Sequence, residues 1–408
     1  MTAPVRILRI AAGGDGVGRL EDGRTVFVPR AAPGDLVEVA HVRLHARFAR
    51  AELGRLVEPG PDRVEPRCPH YRRDQCGGCQ LQHLEETAQV AARRTIVGDA
   101  LRRIARLDLP DPPLTPSPDP WGYRSRVTLA VDSRGRAGFH PMGRPEVCFE
   151  LEWCHIAAPA LNRLWQGLSA VRDRWPAQVK RLGLRQDREG RLHAVFHGPA
   201  TVPDPPLQAI ADGPVASWWQ PEHGPARRIG SAAHGPGHDF PATVFEQVNP
   251  EMGDRVRAHA IAQLGPVAGI HVWDLYAGVG EATVRLAELG ATVESVELDP
   301  GAVAYAAQRG PSAGVRRHAG RVEDWLGRLT PPAAVLCNPP RGGLETTVIN
   351  GLLSAAPRSV VYVSCDPATL ARDLARLAGG GYLVGPVTAF DLFPQTAHVE
   401  TVVRLERA

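Results

Sequence analysis

A chain of 408 residues exceeds what one ordinary hydrophobic core organises, and at roughly 100–200 residues per domain it is expected to fold as two or three units. Hydrophobic content of 43% with 22% charged residues is that of a globular protein, and no run approaches the ~18 apolar residues of a membrane helix, which argues against a membrane partner. A net charge of +3 neither demands nor rules out a polyanion, and nearly all the positive charge is arginine, Lys180 being the one lysine. The first segment, Met1 to Ile10, lacks the apolar run and cleavage site of an exported protein, so a cytoplasmic location is expected.

From Val5 to Glu58 the chain reads as short strands broken by glycine and Pro-Gly turns, in RILRIAA, GGDGVGRL, TVFVPRAAPGDLVEVAHVRL and FARAELGRLV. Apolar and polar residues alternate, as expected of a small antiparallel barrel over residues 1–58. Barrels of the oligonucleotide-binding (OB-like) type hold single strands through basic and aromatic side chains. Only Phe27 and Phe48 supply aromatics here, so the composition suits an RNA grip and a structural cap equally.

Residues 59–240 are rich in Pro and Arg and mix a helical stretch, LEETAQVAARRTIVGDALRRIARL, with strands such as YRSRVTLAVD, an α+β pattern. Proline clusters at PDPPLTPSPDPW and VPDPPL predict surface loops or joints. The run RCPHYRRDQCGGCQLQHL crowds Cys68, Cys76 and Cys79 together, with a fourth thiol available from Cys148 or Cys154. Seven cysteines in a chain this size are no disulfide framework; soft thiolates at close spacing select zinc or an iron–sulfur cluster, and spacing alone does not distinguish the two.

From Pro241 to Ala408 short apolar strands alternate with helices: HVWDLYAG, EATVRLAELG, TVESVELD, AVAYAAQRG, AAVLCNPP, SVVYVSC, TLARDLARLAG. This alternation predicts βαβ units around a parallel sheet, an α/β domain. Asp274 falls at a strand end before a turn containing Gly278 and Gly280, and Glu297 ends the next strand, where a carboxylate can accept from ribose hydroxyls. The turn has two glycines and no pyrophosphate cradle, and a later strand ends in Asn338-Pro-Pro-Arg341; together these favour S-adenosylmethionine over a dinucleotide.

Cys365, just past the strand VVYVS, stands where a thiolate can add to C6 of a pyrimidine and make C5 nucleophilic toward a methyl donor. Loss of the C5 proton then needs a base, and DLFPQTAHVETVVRL offers His398 and Glu400. Without further information Cys365 reads equally as a buried small hydrophobe and Glu400 as a solvated carboxylate, while Cys337 inside AAVLC reads as core.

In order along the chain, CGGCQLQHL, YRSRVTLAV, FEQVN, DLYAGVGEATVRLA, NPPRGGL, YVSCDPATL and DLFPQTAHVET resemble the bacterial RNA uracil-C5 methyltransferases, in particular their iron–sulfur branch acting on 23S ribosomal RNA, and the N-terminal barrel resembles a TRAM domain. The resemblance implies a Rossmann-like S-adenosylmethionine methyltransferase domain over 241–408, a TRAM barrel over 1–58, a cluster-bearing insert over 59–240, and an RNA substrate with no DNA and a monomeric enzyme. It implies Cys365 as nucleophile, Glu400 as the base, and Gln247, Tyr276, Gly278, Gly280, Glu281, Glu297 and Asn338 around the cofactor. It further implies Cys68, Cys76, Cys79 and Cys154 as ligands of a [4Fe–4S] cluster, Cys154 being preferred to Cys148 because WCHIAAPALN resembles the family's ligand segment. The sequence departs from the family pattern at Asn338, where Asp is usual, and at Ala277 and Glu281 in the glycine turn. A neutral amide at Asn338 still accepts from uracil N3–H and donates to O4, and flipped it suits cytosine. A tRNA substrate, or an RNA-binding protein with decayed catalysis, are the alternatives.

Overall fold

The structure, a computed structural model, describes residues 4–175, 178–199, 215–229, 244, 246–310 and 313–408, without the side chain of Arg174. The VPDPPL cluster, the boundary at 240/241 and Phe245 of FEQVN lie outside the described residues. No described helix is long and apolar enough to cross a membrane.

Six strands between Val5 and Glu58 form the first sheet. Period-two alternation in Thr25–Val28 turns Val26 and Val28 inward, onto Val5, Ile7, Val37, Ala49 and Ala51. Val5–Arg6 pairs with Leu36–Val37 while Arg9–Ile10, four residues on, pairs with Gly16–Val17, so one run of chain supplies both sheet edges and closes a barrel. One pairing departs from the antiparallel expectation: Thr25–Phe27 runs parallel to Phe48–Arg50. The hairpin of Leu36–Leu44 with Phe48–Glu58 forces this, because its returning strand lies on Thr25–Val28 in that strand's own direction.

A second sheet of seven strands takes the order Phe149–Glu150, Ala137–Phe139, Arg126–Val131, Arg181–Gln186, Leu192–Gly198, Val215–Pro221, Arg227–Ile229. Leu161, Leu164, Trp165 and Leu168, spaced three and four apart on helix Pro159–Ala170, cover its inner face with Leu182, Leu184, Phe196 and Trp219.

The third sheet carries β1 His271–Leu275, β2 Thr292–Glu297, β3 Val315–Ala319, β4 Ala334–Cys337, β5 Ser359–Ser364, β6 Tyr382–Phe390 and β7 Glu400–Arg407. Their order is β3-β2-β1-β4-β5-β7-β6, with β1 to β5 parallel and β7 antiparallel to both of its neighbours. Strands buried on both faces read as continuous apolar runs, and residue parity divides them. Trp273, Leu275, Val335 and Tyr362 face the helices Thr346–Ala355 and Pro367–Gly379, whereas Val272, Leu336 and Val361 face Pro250–Leu264. The chain order βαβ therefore yields the Rossmann-like layering that the alternation predicts.

Residues 86–115, although early in the chain, pack here. Helix Glu86–Ala100, continued by a π-helical turn Leu101–Ala105, sends Val97 and Leu101 into the core beneath β1 and β5, and Leu114–Thr115 adds a parallel edge strand to β6.

Candidate active site

The carboxyl ends of β1, β2, β4 and β5 form one edge of the third sheet, the place where open α/β sheets bind ligands. Tyr276 follows β1, Glu297 ends β2, Asn338 follows β4 and Cys365 follows β5. Glu400 joins them for a different reason: β7 is antiparallel, so its first residue lies at the same edge.

At the cofactor crevice the turn 276–280 is wound through three left-handed residues, Tyr276 (φ 63°), Gly278 (φ 58°) and Gly280 (φ 77°). A Cβ on Gly280 would stand 3.0 Å from that of Ala306, so the turn and helix Pro300–Arg309 meet too closely for a side chain. Glu297 fixes the turn, accepting from the Gly278 N–H at 2.8 Å and from the Asp299 N–H at 2.9 Å, one on each carboxylate oxygen. Each oxygen keeps a second lone pair for an outside donor. Asp274 lies behind the turn, wholly enclosed; burial pushes its carboxyl up to about 6, while the Thr283 hydroxyl donates to it at 2.5 Å.

The other expected cofactor residues divide. Asn338 holds its backbone through an N–H bond to Leu275 O at 3.2 Å and is half-buried at the sheet edge. Gln247 precedes helix Pro250–Leu264, which Asn249 caps by accepting from the Met252 N–H at 3.3 Å. Glu281, by contrast, is paired through both oxygens with arginines, Arg188 at 2.7 Å and Arg257, and so ties the second sheet to the third.

Cys365, just past the end of β5, and Glu400, the first residue of β7, lie close enough for the carboxylate charge to act on the thiol. Ser364 pairs with Thr401, and the next step of that antiparallel register brings Cys365 beside Glu400. Burial first, and then the charge of Glu400, push the Cys365 thiol up to about 11. Glu400 is 1% exposed, and burial raises its carboxyl to about 8 against the opposing pull of Arg341. Its Oε2 has no hydrogen-bond partner. A buried polar atom without a partner is costly in a native fold, and an acceptor left bare next to a thiol is what a proton-transfer site requires. His398, the other candidate base, is exposed and packs edge-on against Phe393, with ring centroids 5.9 Å apart.

The four expected ligand cysteines line one cavity of about 360 Å³ formed by the 68–82 loop, strand Arg126–Val131 and the 151–156 segment. N–H groups surround the sulfurs: those of His70, Tyr71 and His155 at Cys68, Gly78 at 3.4 Å from the Cys76 Sγ, and Ile156 and Ala157 at Cys154. Burial raises all four thiols, Cys76 to about 12. Cys148 points elsewhere, its Sγ lying 3.6 Å from Ala130 O, and Cys337 is core. Among the described residues no three His, Cys, Asp or Glu side chains converge closely enough to hold a single metal ion. A polynuclear cluster places each thiolate on its own iron, so its ligands stand further apart than those of one ion.

Two groups escape a reading of the sequence. Arg341 acts on both Cys365 and Glu400, lowering each, although NPPR marks only a turn. The loop 391–399 is held from afar: Arg93, 1% exposed, donates to Asp391 at 2.7 Å and to Thr396 O at 2.9 Å, and the Tyr123 hydroxyl donates to Pro394 O at 3.0 Å. Asp391 and Tyr123 belong to recognisable motifs, but their partners lie hundreds of positions away.

Comparison with known proteins follows the same geography. The family model "TRAM domain" matches residues 2–53, and "tRNA (Uracil-5-)-methyltransferase" matches residues 321–408. A Corynebacterium glutamicum protein described as an uncharacterized RNA methyltransferase is 33% identical over 98% of this chain and 95% of its own. The 23S rRNA (uracil(1939)-C(5))-methyltransferase of Thiobacillus denitrificans is 33% identical, with all of both chains covered. The crystal structure of the Pyrococcus abyssi tRNA (uracil-54, C5)-methyltransferase with S-adenosyl-L-homocysteine superposes with a TM-score of 0.73 over 99% of this chain and 100% of that one, at 24% identity.

Proposed function

Since the chain belongs to the RNA uracil-C5 methyltransferase family, we propose that it methylates C5 of a uridine in RNA, 23S ribosomal RNA being the favoured substrate, with S-adenosylmethionine as donor. The observation that carries this reading is that Cys365, one residue past the Ser364–Thr401 pair, lies within reach of the Glu400 charge at the sheet edge that also holds Glu297 and the glycine turn.

Bound S-adenosylmethionine supplies an electrophilic methyl group. Its fit rests on the free lone pairs of Glu297, which suit ribose hydroxyls, and on the turn at Tyr276, Gly278 and Gly280, with Gln247, Glu281 and Asn338 as the remaining walls. The Cys365 thiolate adds to C6 of the flipped-out uridine, and the electron pair moves to C5. Asn338 accepts from N3–H and donates to O4, keeping uracil in register. Once C5 carries its new methyl group, the Glu400 carboxylate takes the C5 proton, the C5–C6 double bond re-forms, and the Cys365 thiolate leaves. Burial serves Glu400 here, because a base of raised pKa holds the abstracted proton at neutral pH.

Cys68, Cys76, Cys79 and Cys154 would hold a [4Fe–4S] cluster, supported by one cavity with N–H groups turned toward the sulfurs. The chemistry above needs no electron from it, and its role is to fix the loops it joins. The closed barrel, with His45 stacked on Phe48 at 4.4 Å and Arg50 over Phe27 at 5.8 Å, supplies an aromatic and basic face for RNA. Action on ribosomal RNA as a cytoplasmic monomer completes the proposal.

The test is mass spectrometry of digested RNA after incubating anaerobically purified protein with labelled S-adenosylmethionine and unmodified 23S or transfer RNA. Label in 5-methyluridine of 23S RNA is expected. Label confined to tRNA would change the substrate and keep the chemistry, and no label would leave an RNA-binding protein.

A further inference from the structure

The loop that delivers Glu400 is clamped by the residues that follow the cysteine Cys79. Gln80 and Leu81 donate their backbone N–H groups to Gln395 O at 3.2 and 3.0 Å, and the Gln80 Oε1 accepts from the Ala397 N–H at 3.4 Å. From the opposite side Gln89, on helix Glu86–Ala100, closes a reciprocal amide pair: its Nε2 donates to Gln395 Oε1 at 3.0 Å and its Oε1 accepts the Gln395 N–H at 3.2 Å. Gln395 and Gln89 are 1% and 2% exposed. Gln395 also takes a left-handed backbone, φ 69°, which an L side chain avoids unless its surroundings impose it. Buried amides that satisfy one another in this way specify a single arrangement.

We propose that Gln395 is a positioning residue for Glu400, held by Gln89 and by the cysteine loop, so that emptying the four-cysteine cavity releases loop 391–399 and misplaces the base. The chain of contacts is short. Cys79 lines the cavity and Gln80 is its neighbour; Gln395 stands five residues before Glu400, and Tyr71, also on the cavity wall, donates its hydroxyl to Gln80 O at 2.9 Å. A cluster that pins Cys79 thereby pins Gln80, and with it the entry to β7. The same clamp explains why a cluster without a redox step can matter to catalysis. This inference rests on the reading of Glu400 as base and of the cysteines as cluster ligands.

The test uses full-length protein and measures hydrogen exchange of the 391–399 segment beside methyl-transfer kinetics. Gln89→Met conserves volume on the helix and strips Gln395 of both its hydrogen bonds to the Gln89 side chain. Its kcat is expected to fall about ten-fold or more, with KM for RNA within about two-fold and exchange in 391–399 faster. Chelation of iron from the wild-type protein should speed exchange in the same segment, with little further change in Gln89→Met, because interactions in one network are not additive. Exchange that rises only around 68–79 on iron removal, or Gln89→Met with unaltered kcat, would overturn the clamp. Protein that contains no iron and sulfide overturns the cluster reading separately, and the Gln89→Met arm, which needs no metal, then decides the positioning role. Unfolding of Gln89→Met would show as exchange throughout the chain, in which case Gln395→Asn, better suited to a left-handed backbone, must give the same kcat loss or the proposal fails.

Discussion

Ser364 pairs with Thr401, and that single antiparallel register puts the Cys365 thiol and the Glu400 carboxyl on adjacent strands at one edge of the sheet. The Glu400 charge raises the cost of ionising the thiol. Burial first and Glu400 second hold Cys365 near 11, so Glu400→Gln is expected to lower the pH midpoint of Cys365 alkylation by iodoacetamide. With the proposed base removed, the covalent RNA adduct should also accumulate on denaturing gels, while Cys365→Ala should form no adduct and lose methyl transfer by at least about a thousand-fold.

Glu400 also links stability to pH. Folded, its carboxyl holds a proton up to about pH 8; unfolded, it ionises near its ordinary 4.5. Between those values the folded chain binds more protons, so this group's effect is to lower stability as pH rises through the window. Glu400→Gln should therefore melt higher than the wild type at pH 8.5, by about 2 °C or more, and equally at pH 4. A lower melting temperature at pH 8.5 would mean that Glu400 is ionised and satisfied.

Arg341 opposes burial at both groups. Arg341→Met should move Glu400 and Cys365 further up, shifting the acid limb of the kcat/KM profile to higher pH and slowing turnover at pH 7 more than at pH 9. A uniform loss at every pH would assign Arg341 to RNA binding instead.

Glu297 accepts two backbone N–H groups and shapes the glycine turn. Hydrogen bonds to a charged group contribute about 1.5–3 kcal/mol, so Glu297→Ala should weaken S-adenosylhomocysteine binding by about ten-fold or more in calorimetry, with RNA affinity unchanged.

Cys148 and Cys154 separate by position. Cys154→Ser should lose the visible absorption and most of the iron of anaerobically purified protein, whereas Cys148→Ser, whose sulfur lies against Ala130 O, should keep both.

Much of this was legible in the sequence where local pattern suffices. The parallel strands announced themselves as apolar runs, Val26 and Val28 by alternation, and Glu297 and Cys365 by standing at strand ends. Glu400 was legible in the sequence as one of two candidate bases, and family resemblance alone set it above His398, because nothing local says that β7 runs antiparallel and brings its first residue to the edge that holds Cys365. The membership of helix Glu86–Ala100 in the third sheet's core was hidden for a similar reason. Its apolar positions declare a buried face without declaring what covers it, and its two-residue companion strand Leu114–Thr115 carries almost no pattern. Glu281 shows another limit: its place in the glycine turn suggests a ligand contact, while its ion pairs with Arg188 and Arg257, from other parts of the chain, carry no local signal.

Arg93 and Asp391 form their buried ion pair across 298 residues of sequence. During synthesis the helix that bears Arg93 leaves the ribosome long before β6 and β7 exist, and its apolar face and buried cation wait for the final segment to arrive. Contacts of such long range form late and slowly. Maturation of this sheet thus waits for synthesis of its last strands: a chain stopped short of Asp391 lacks Glu400 and the partner of Arg93 together, and a fragment of the C-terminal half lacks the helix Glu86–Ala100 that fills its core.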